Sequence, residues 1–361
     1  MEFGIFYFFT ATFLLFLVLK EITLKKINMK NVCSLLAFIA LFIMSSCTSD
    51  DNLINQETQN SVDLYVLGQK NGQTCYWKNN QVVTLNQGNF VTSDPNKIIV
   101  SNNNVHILGN STDVDLYWNN GTLTNLTSTF SDNTQVVKGI WDMEVVGNDV
   151  YFVGFTKNPL VTAEIYDLAY WKNGQKTIIA ANINSIPESS IAVANNTVYV
   201  TSKSNLSDPK YYTNGVSTNL PNGTQITGLT KKGNSVYIYG NNGNNGFYKD
   251  LSTNIETFFP TPYSVTNLIF DGNDVYYFTA DEFYKNTVVT PLNIQPVNGQ
   301  TSYLVPFQKA NVLNGNIYSI QNCSPMFSEG FSMVGINGVN VFESNGTNEV
   351  GYFTDLFVVQ N

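Results

Sequence analysis

The sequence predicts an all-β chain because one short pattern recurs along most of its length. A strand ending in Val-Tyr or a similar pair appears at intervals of 38 to 48 residues, at Leu64-Tyr65, Val105-His106, Val150-Tyr151, Val198-Tyr199, Val236-Tyr237, Val275-Tyr276 and Ile317-Tyr318. Each copy is accompanied by turn residues and by further short apolar segments. A unit of about 42 residues that holds four strands is typical of a β-propeller blade, so we predict seven four-stranded blades.

The strands of each unit are separated by residues that favour tight hairpins. A polar turn such as Gly147-Asn148-Asp149 precedes the Val-Tyr strand, and a short apolar strand such as Leu268–Phe270 precedes the turn. A third strand carries a motif that is clearest as Tyr170-Trp171-Lys172-Asn173-Gly174. Asn-Gly is a strong hairpin signal, so a fourth strand should follow. Each unit is therefore predicted to be an antiparallel four-stranded sheet.

The two ends of the repeat region predict how the ring closes. The first unit begins at its second strand, Asp63–Gly68, while Leu356–Val359 forms an unmatched first strand at the C-terminus. Pairing these two segments would complete one blade and remove the open edges that invite aggregation. A β-sandwich would not produce so regular a repeat. The seventh unit diverges most, and reading it as a capping segment would change the blade count by one.

The first 60 residues differ in composition from the rest and predict export. Residues 1–28 contain an apolar run, Phe3–Leu19, and we interpret them as upstream sequence read in frame, with translation starting at Met29. Residues 29–46 have the charge, apolar run and small residues of a signal peptide, and residues 47–60 form a linker. A transmembrane hairpin is the alternative, but the run in 32–46 is short for that.

Two segments resemble known bacterial signals and repeats. The small residues Ser45 and Ser46 before Cys47 resemble the lipobox of bacterial lipoproteins, and Asp50 and Asp51 resemble the surface-export signal of Bacteroidota lipoproteins. Residues 61–361 are similar to the Tyr-Trp-Lys-Asn-Gly repeats of secreted and lipidated Bacteroidota proteins. The resemblance implies a propeller domain lipidated at Cys47 and held at the outer membrane, facing the cell exterior.

Composition excludes several function classes. All 18 basic residues are Lys and the formal net charge is −9, so the chain lacks the arginine forks and the basic field that nucleic acids require. The chain has a single histidine, His106, and four cysteines, which leaves too few ligands for a zinc or iron–sulfur site. We therefore predict no metal, no cofactor and no nucleic-acid partner.

The loops predict where a ligand would bind. In a propeller, the first-to-second and third-to-fourth turns lie on one face, which we call the hairpin face, and the other loops lie on the opposite, variable face. Here the variable-face loops differ most in length, and binding usually resides in such loops. Aligning the innermost strands places one residue per blade at the channel mouth on the variable face. These residues are Lys97, Asp142, Ser190, Gly228, Asn267, Lys309 and Asp355, with Trp141 beside Asp142.

We take Lys97, Trp141, Asp142, Asn267, Lys309 and Asp355 as candidate ligand-binding residues. Together they offer charges, an amide and one aromatic platform for a polysaccharide, a peptide or a partner protein. The competing interpretation is a solvated channel with internal ion pairs. Similarly, the Tyr-Trp stripes are expected to pack between blades rather than to bind glycans.

Catalytic motifs are sparse in this chain. His106 occupies a core-strand position, where a structural histidine is expected rather than a member of a catalytic triad. Paired carboxylates, Asp142 with Glu144 or Glu164 with Asp167, leave open a glycoside hydrolase or lyase. A structural subunit of an outer-membrane complex is a further alternative. The preferred hypothesis is a non-catalytic, lipid-anchored surface binding protein.

Two cysteines bear on ring closure. Cys75 opens the third strand of the first unit and Cys323 follows the second strand of the seventh. These units are neighbours only in a closed ring, so a Cys75–Cys323 disulfide would reinforce the closure in an oxidising compartment. Two free thiols are the alternative.

Overall fold

A computed structural model of the chain describes residues 62–361, except 91–92, 187, 203–208, 244, 260–264, 280–281, 291–302, 325–330 and 344–350, and gives the backbone alone at 303–308, 322–324, 331 and 351. These residues all belong to one unit, Asn60–Asn361. The predicted signal peptide, the linker and Cys47 lie outside the described residues.

The described residues form seven four-stranded antiparallel sheets, as the repeat predicts. Each sheet is one blade, and consecutive strands pair as hairpins. The strands are β1 (Val62–Lys70), β2 (Gln73–Lys78), β3 (Gln81–Thr84), β4 (Asp94–Ser101), β5 (Asn104–Ser111), β6 (Val114–Asn119), β7 (Thr122–Asn125), β8 (Val136–Val146), β9 (Asp149–Lys157), β10 (Tyr166–Lys172), β11 (Gln175–Ile183), β12 (Ile191–Ala194), β13 (Thr197–Ser202), β14 (Lys210–Thr213), β15 (Val216–Asn219), β16 (Thr224–Lys232), β17 (Ser235–Asn242), β18 (Asn245–Asp250), β19 (Glu256–Phe259), β20 (Asn267–Asp271), β21 (Asp274–Phe278), β22 (Phe283–Lys285), β23 (Val288–Thr290), β24 (Tyr303–Leu313), β25 (Asn316–Ser324), β26 (Phe331–Ile336), β27 (Val339–Glu343) and β28 (Gly351–Gln360).

The C-terminal strand closes the ring. β28 pairs antiparallel with β1, so blade one consists of β28, β1, β2 and β3. The innermost strands of the seven blades, β28, β4, β8, β12, β16, β20 and β24, contact one another in that order, and β24 contacts β28. The predicted closure and the predicted count of seven blades are both confirmed.

The Lys and Asn residues of the repeated Tyr-Trp-Lys-Asn-Gly motif form hydrogen bonds and ion pairs on the hairpin face, and blade three shows all of these contacts. The backbone N–H of Asn173 donates to Val150 O at 2.9 Å, and the Asn173 side-chain oxygen accepts from Val150 N at 2.9 Å. Asn173 Nδ2 donates to Asp149 Oδ1, and Lys172 pairs with Asp149 Oδ2 at 2.7 Å while lying over the Tyr151 ring. We call this arrangement the hairpin clip.

The clip recurs around the ring because the turn chemistry recurs. Asn173 and Gly174 both have positive φ, which Asn and Gly tolerate best. The Asn side chain accepts the backbone N–H of the Val-Tyr strand in six blades, at Asn79–Leu64, Asn120–Val105, Asn173–Val150, Asn214–Val198, Asn286–Val275 and Asn337–Ile317. Lys–Asp pairing repeats at Lys78–Asp63 and Lys285–Asp274.

The core lies between blades. Trp118 and Trp171 are fully buried, and Trp77 is 7% exposed. Clusters join neighbouring blades; one cluster, for example, contains Val153 of blade three and Val193 of blade four. The Tyr-Trp stripes therefore pack between blades, as predicted. His106 is also buried, its Nδ1 lies 2.7 Å from Tyr117 Oη, and burial lowers its pKa, as expected of a core histidine.

One short helix, α1 (Leu126–Phe130), follows blade two. Asn125 caps it by accepting the Ser128 N–H, and Phe130 stacks on Trp171 with ring centroids 5.2 Å apart. Within the described part of the chain, no helix has the length and apolar character needed to cross a membrane.

Candidate functional site

Bulges in the innermost strands set the geometry of the channel. In β4, β8, β16 and β28, one residue is left unpaired immediately before the position that the sequence alignment assigned to the channel. Opposite each bulge stands a glycine of the second strand. A Cβ on any of these glycines would overlap or crowd a backbone carbonyl of the innermost strand, at Gly68, Gly109, Gly154 and Gly240. The glycine admits the bulge, which re-aims the side chains that follow it.

Five of the aligned residues lie inside their strands, whereas Asn267 is the first residue of β20 and Ser190 directly precedes β12. Lys97 is the fourth residue of the eight in β4, and Asp142 is the seventh of the eleven in β8. Trp141 is the residue left unpaired directly before Asp142 in β8, and it is 43% exposed.

Three aligned residues form hydrogen bonds to the innermost strand of the next blade. Asp355 Oδ2 accepts the Ile98 N–H at 2.9 Å, and Asp142 Oδ2 accepts the Ile191 N–H at 3.0 Å. Asn267 Nδ2 donates to Ala310 O at 2.9 Å. In each case the partner directly follows the aligned residue of the neighbouring blade. We call these contacts the channel belt.

Lys97 adds an ion pair to the channel belt. Its ammonium group contacts Asp142 Oδ1 at 2.6 Å, which joins blades two and three. Burial alone would lower the pKa of Lys97, but the carboxylates of Asp142, Glu144 and Asp355 more than offset this effect and raise it to about 12. Lys97 is therefore cationic throughout the physiological range. Burial raises the pKa of Asp355, and the nearby Lys309 and Lys97 oppose that shift.

A second ion pair passes over blade four. Lys231 of blade five contacts Glu144 of blade three, and its ammonium group also lies 3.5 Å from Val193 O of blade four. The innermost strand of blade four is short and carries the small residues Ala192 and Ala194. Both alanines are buried in a cluster with Val236 of blade five, so the contact of Lys231 with blade four is with the backbone of Val193.

A cavity of about 430 Å³ lies in the channel and is lined by six blades. Four predicted candidates line it: Lys97, Asn267, Lys309 and Asp355. The cavity extends from this level toward the hairpin face, because Ser101, Val145 and Lys231 also line it. The other two candidates do not line the cavity. Asp142 forms the ion pair with Lys97, and Trp141 is the unpaired residue of the bulge.

Two cavity-lining groups have no hydrogen-bonding partner among the described residues. Lys309 is exposed, and no described carboxylate lies within ion-pair distance of it. Tyr239 is 8% exposed, and its pKa is raised to about 12, first by burial and then by Asp142. A Cβ on Gly228 would lie 2.8 Å from Tyr239 Oη, so the glycine provides the space that the hydroxyl occupies.

Sequence reasoning missed Tyr239 and Lys231 as cavity residues. Gly228 is one of the seven aligned positions and has no side chain. This glycine could have indicated that a neighbouring side chain, here Tyr239, occupies the space beside it. Lys231 is three residues further along the strand of Gly228, and no local pattern in the sequence indicated that it reaches Glu144.

The second predicted carboxylate pair lies away from the cavity. Glu164 pairs with Lys157 at 2.7 Å and accepts a hydrogen bond from Tyr166 Oη, and these contacts lower its pKa. Asp167 accepts hydrogen bonds from Gln135 Nε2 and from the Asn182 N–H. Among the described residues, no group of three or more His, Cys, Asp or Glu side chains is arranged to hold a metal ion.

Cys75 is buried and forms no disulfide with any described residue, and burial raises the pKa of its thiol to about 12. Its surroundings include Ile320 and Val334 of blade seven, so it lies at the junction that closes the ring. The Cys323 side chain lies outside the described residues. The Cys75–Cys323 disulfide stays a prediction, which intact-mass analysis with and without reductant would test.

No family model matches the chain, and no curated protein matches it. Among solved structures, it is similar to a prolyl endopeptidase, with 10% identity, a TM-score of 0.49, and coverage of 79% of this chain and 50% of the other. For the acylaminoacyl peptidase of Pyrococcus horikoshii, the identity is 10%, the TM-score 0.48 and the coverage 80% and 51%. For AztD of Citrobacter koseri in its apo form, they are 9%, 0.43, and 82% and 98%. The chain thus spans about half the length of the two peptidases and nearly all of AztD.

Proposed function

We propose that the protein is a non-catalytic binding protein that holds a polar ligand through its channel and variable face, and that the ligand is a polysaccharide, a peptide or a partner protein. The observation that carries the proposal is the cavity, in which Lys309 and Tyr239 present polar groups without described partners. Concave sites with a few convergent polar groups are the usual places for ligands.

The carboxylates favour binding over glycosidic cleavage. That reaction needs one carboxyl group that stays protonated and a second that attacks or activates water. Asp142 and Glu144 each pair with a lysine, and Glu164 is an exposed carboxylate whose pKa is lowered by Lys157 and Tyr166. The lowered pKa of Glu164 is opposite to what a general acid requires.

A glycan and peptide array probed with the full chain in detergent, followed by calorimetry on each hit, tests the proposal. Saturable binding that weakens in Trp141→Ala or Asn267→Ala supports a site on the variable face or in the channel. Lys249→Met, on the third strand of blade five, is the control and should leave binding unchanged.

Other outcomes would replace the proposal. Turnover of a hit that is lost in Asp142→Asn or Glu164→Gln would establish the hydrolase or lyase alternative. Co-purification with a membrane protein, together with no saturable ligand, would establish a structural subunit.

We further propose that the mature protein begins at a lipidated Cys47 on the outer surface of the outer membrane. The support is the order of charge, apolar run and small residues in 29–46, followed by the acidic Asp50 and Asp51. Two acyl chains suffice for stable anchoring. Cys47→Ser should release the protein from the membrane fraction and remove the lipid mass. Cys33→Ser, in the same segment, should do neither, and protease treatment of intact cells tests the surface location.

A further inference from the structure

We infer that the channel cavity binds a small hydroxylated carboxylate, such as a sugar acid, with the carboxylate at Lys309. The inference rests on the proposed binding function and names the ligand class for the channel part of that site.

The first step is the charge at Lys309. Three lysines line the cavity, and two of them pair with carboxylates, Lys97 with Asp142 and Lys231 with Glu144. Lys309 has no such partner among the described residues. Asp355 is close enough to interact electrostatically, yet its Oδ2 already accepts the Ile98 N–H. Lys309 is therefore the lining cation best placed to take a carboxylate from a ligand.

The second step is the set of neutral polar groups around Lys309. Tyr239 Oη offers a hydroxyl without a described partner, and Asn267 offers an amide whose Nδ2 alone is used in the belt. Asp355 and Glu144 add carboxylate acceptors to the lining. Donors and acceptors are thus mixed within one cavity. A ligand hydroxyl both donates and accepts, so a polyhydroxylated acid matches this set better than a simple fatty acid.

The third step is size and shape. At about 30 Å³ per water molecule, a cavity of about 430 Å³ has room for roughly fourteen waters. That space suits one or two sugar rings and excludes a folded segment. Ile99, Val145 and Phe357 form apolar parts of the lining, against which the C–H face of a sugar ring can pack.

The test compares galacturonate with galactose, which differ at one carbon where a carboxylate replaces a hydroxymethyl group, by calorimetry on the full chain in detergent. We expect galacturonate to bind at least tenfold more tightly than galactose. Lys309→Met should remove this preference, whereas Lys249→Met should leave it unchanged. Inorganic phosphate is the third probe and should bind more weakly than galacturonate, because it lacks the ring and its hydroxyls.

Tyr239→Phe provides a second, structurally mild test. The hydroxyl has no described protein partner, so its removal should leave the melting temperature unchanged while weakening galacturonate binding several-fold. This combination separates a ligand contact from a structural role.

Three results would overturn the inference. Equal binding of galactose and galacturonate would remove the role of the carboxylate, and phosphate binding as tight as that of galacturonate would reduce the site to a general anion site. Absence of galacturonate binding would reject the ligand class. If array ligands still bind and are unaffected by Lys309→Met, the proposed function survives without this inference; if no array ligand binds either, both fail.

Discussion

The hairpin clips and the channel belt perform related tasks with different chemistry. A clip joins strands of one blade, uses an Asn at the same position in six blades and a Lys–Asp pair in three of them, and lies at the exposed rim. The belt joins different blades, uses Asp, Asn or Lys at equivalent positions, and lies in the partly buried channel. The repeated residues thus satisfy a requirement that every blade shares, whereas the unlike residues of the channel satisfy requirements that arise once in the ring.

Solvent exposure also separates the two regions in energy. The Lys172–Asp149 pair has side chains 44% and 40% exposed, and exposed ion pairs contribute little because water screens them. The Lys97–Asp142 pair is less exposed, at 31% and 15%, and Asp142 also binds a backbone N–H. Loss of a clip charge should therefore matter less than loss of a belt charge.

The largest expected effect concerns Gly154, one of the four glycines that stand opposite bulges in the innermost strands. In Gly154→Ala the new Cβ would overlap the Gly139 carbonyl, so the bulge in β8 would have to shift. We expect a loss of about 3 kcal/mol in the free energy of unfolding, measured by urea denaturation. Gly139→Ala is the control, because its nearest neighbours would be side-chain atoms of Trp141 at 3.7 Å or more. Equal losses would show that the bulge does not depend on Gly154.

The next effect tests the belt itself. Asp142→Ala leaves both Lys97 and the Ile191 N–H without their acceptor, and we expect a loss of about 2 kcal/mol. Asp142→Asn keeps one oxygen for the backbone and should lose less. Urea denaturation of both variants measures the difference. A loss no larger than that of a clip substitution would contradict the ranking of the two regions.

A smaller effect separates the two roles of the clip asparagine. Both Asn173→Ala and Asn173→Gly lose the acceptor for Val150 N and the donor to Asp149, but only alanine adds the strain of a positive φ that Asn and Gly tolerate. We expect losses of about 2 kcal/mol and about 1 kcal/mol, respectively. Thermal melting followed by circular dichroism measures both. If the two variants melt together, backbone conformation plays no part.

The smallest effect concerns the opposite pH dependence of the two regions. Hydrogen bonds from Lys172 and Asn173 lower the pKa of Asp149, so its contribution is complete above the unfolded value near 3.8 and is lost as pH falls through the folded value. Asp63 and Asp274 behave alike, through Lys78 and Lys285. Burial raises the pKa of Asp355, so its ionised form costs stability and acidification relieves that cost.

Urea denaturation between pH 3 and 6 separates these contributions. The triple variant Asp63→Asn, Asp149→Asn and Asp274→Asn should lose less stability on acidification below the unfolded pKa than the unsubstituted protein does. Asp355→Asn should lose more as pH falls through the raised pKa of Asp355, because the relief at that residue is gone. Identical pH profiles for the two variants would contradict the assignment.

Much of the fold could be predicted because its signals are local. Turn pairs such as Asn173-Gly174 require positive φ wherever they occur, and the interval between Val-Tyr pairs reflects the length of one blade. The unmatched strand at Leu356–Val359 could pair with the first unit, because that unit lacked its first strand. Four of the six candidate residues line the cavity, because equivalent positions in repeated blades lie at a similar depth in the central channel.

The sequence by itself therefore determined the blade, the number of blades and the way the ring closes, because hairpins and alternation are decided within a few residues. Only the tertiary structure decided that Asp142 pairs with Lys97, that Lys231 reaches Glu144 past the Val193 carbonyl of blade four, and that Tyr239 fills the space at Gly228. These contacts join residues of different strands, most of them in different blades and remote in sequence. Their geometry depends on how neighbouring strands and blades pack together, and no pattern within a few residues specifies that packing.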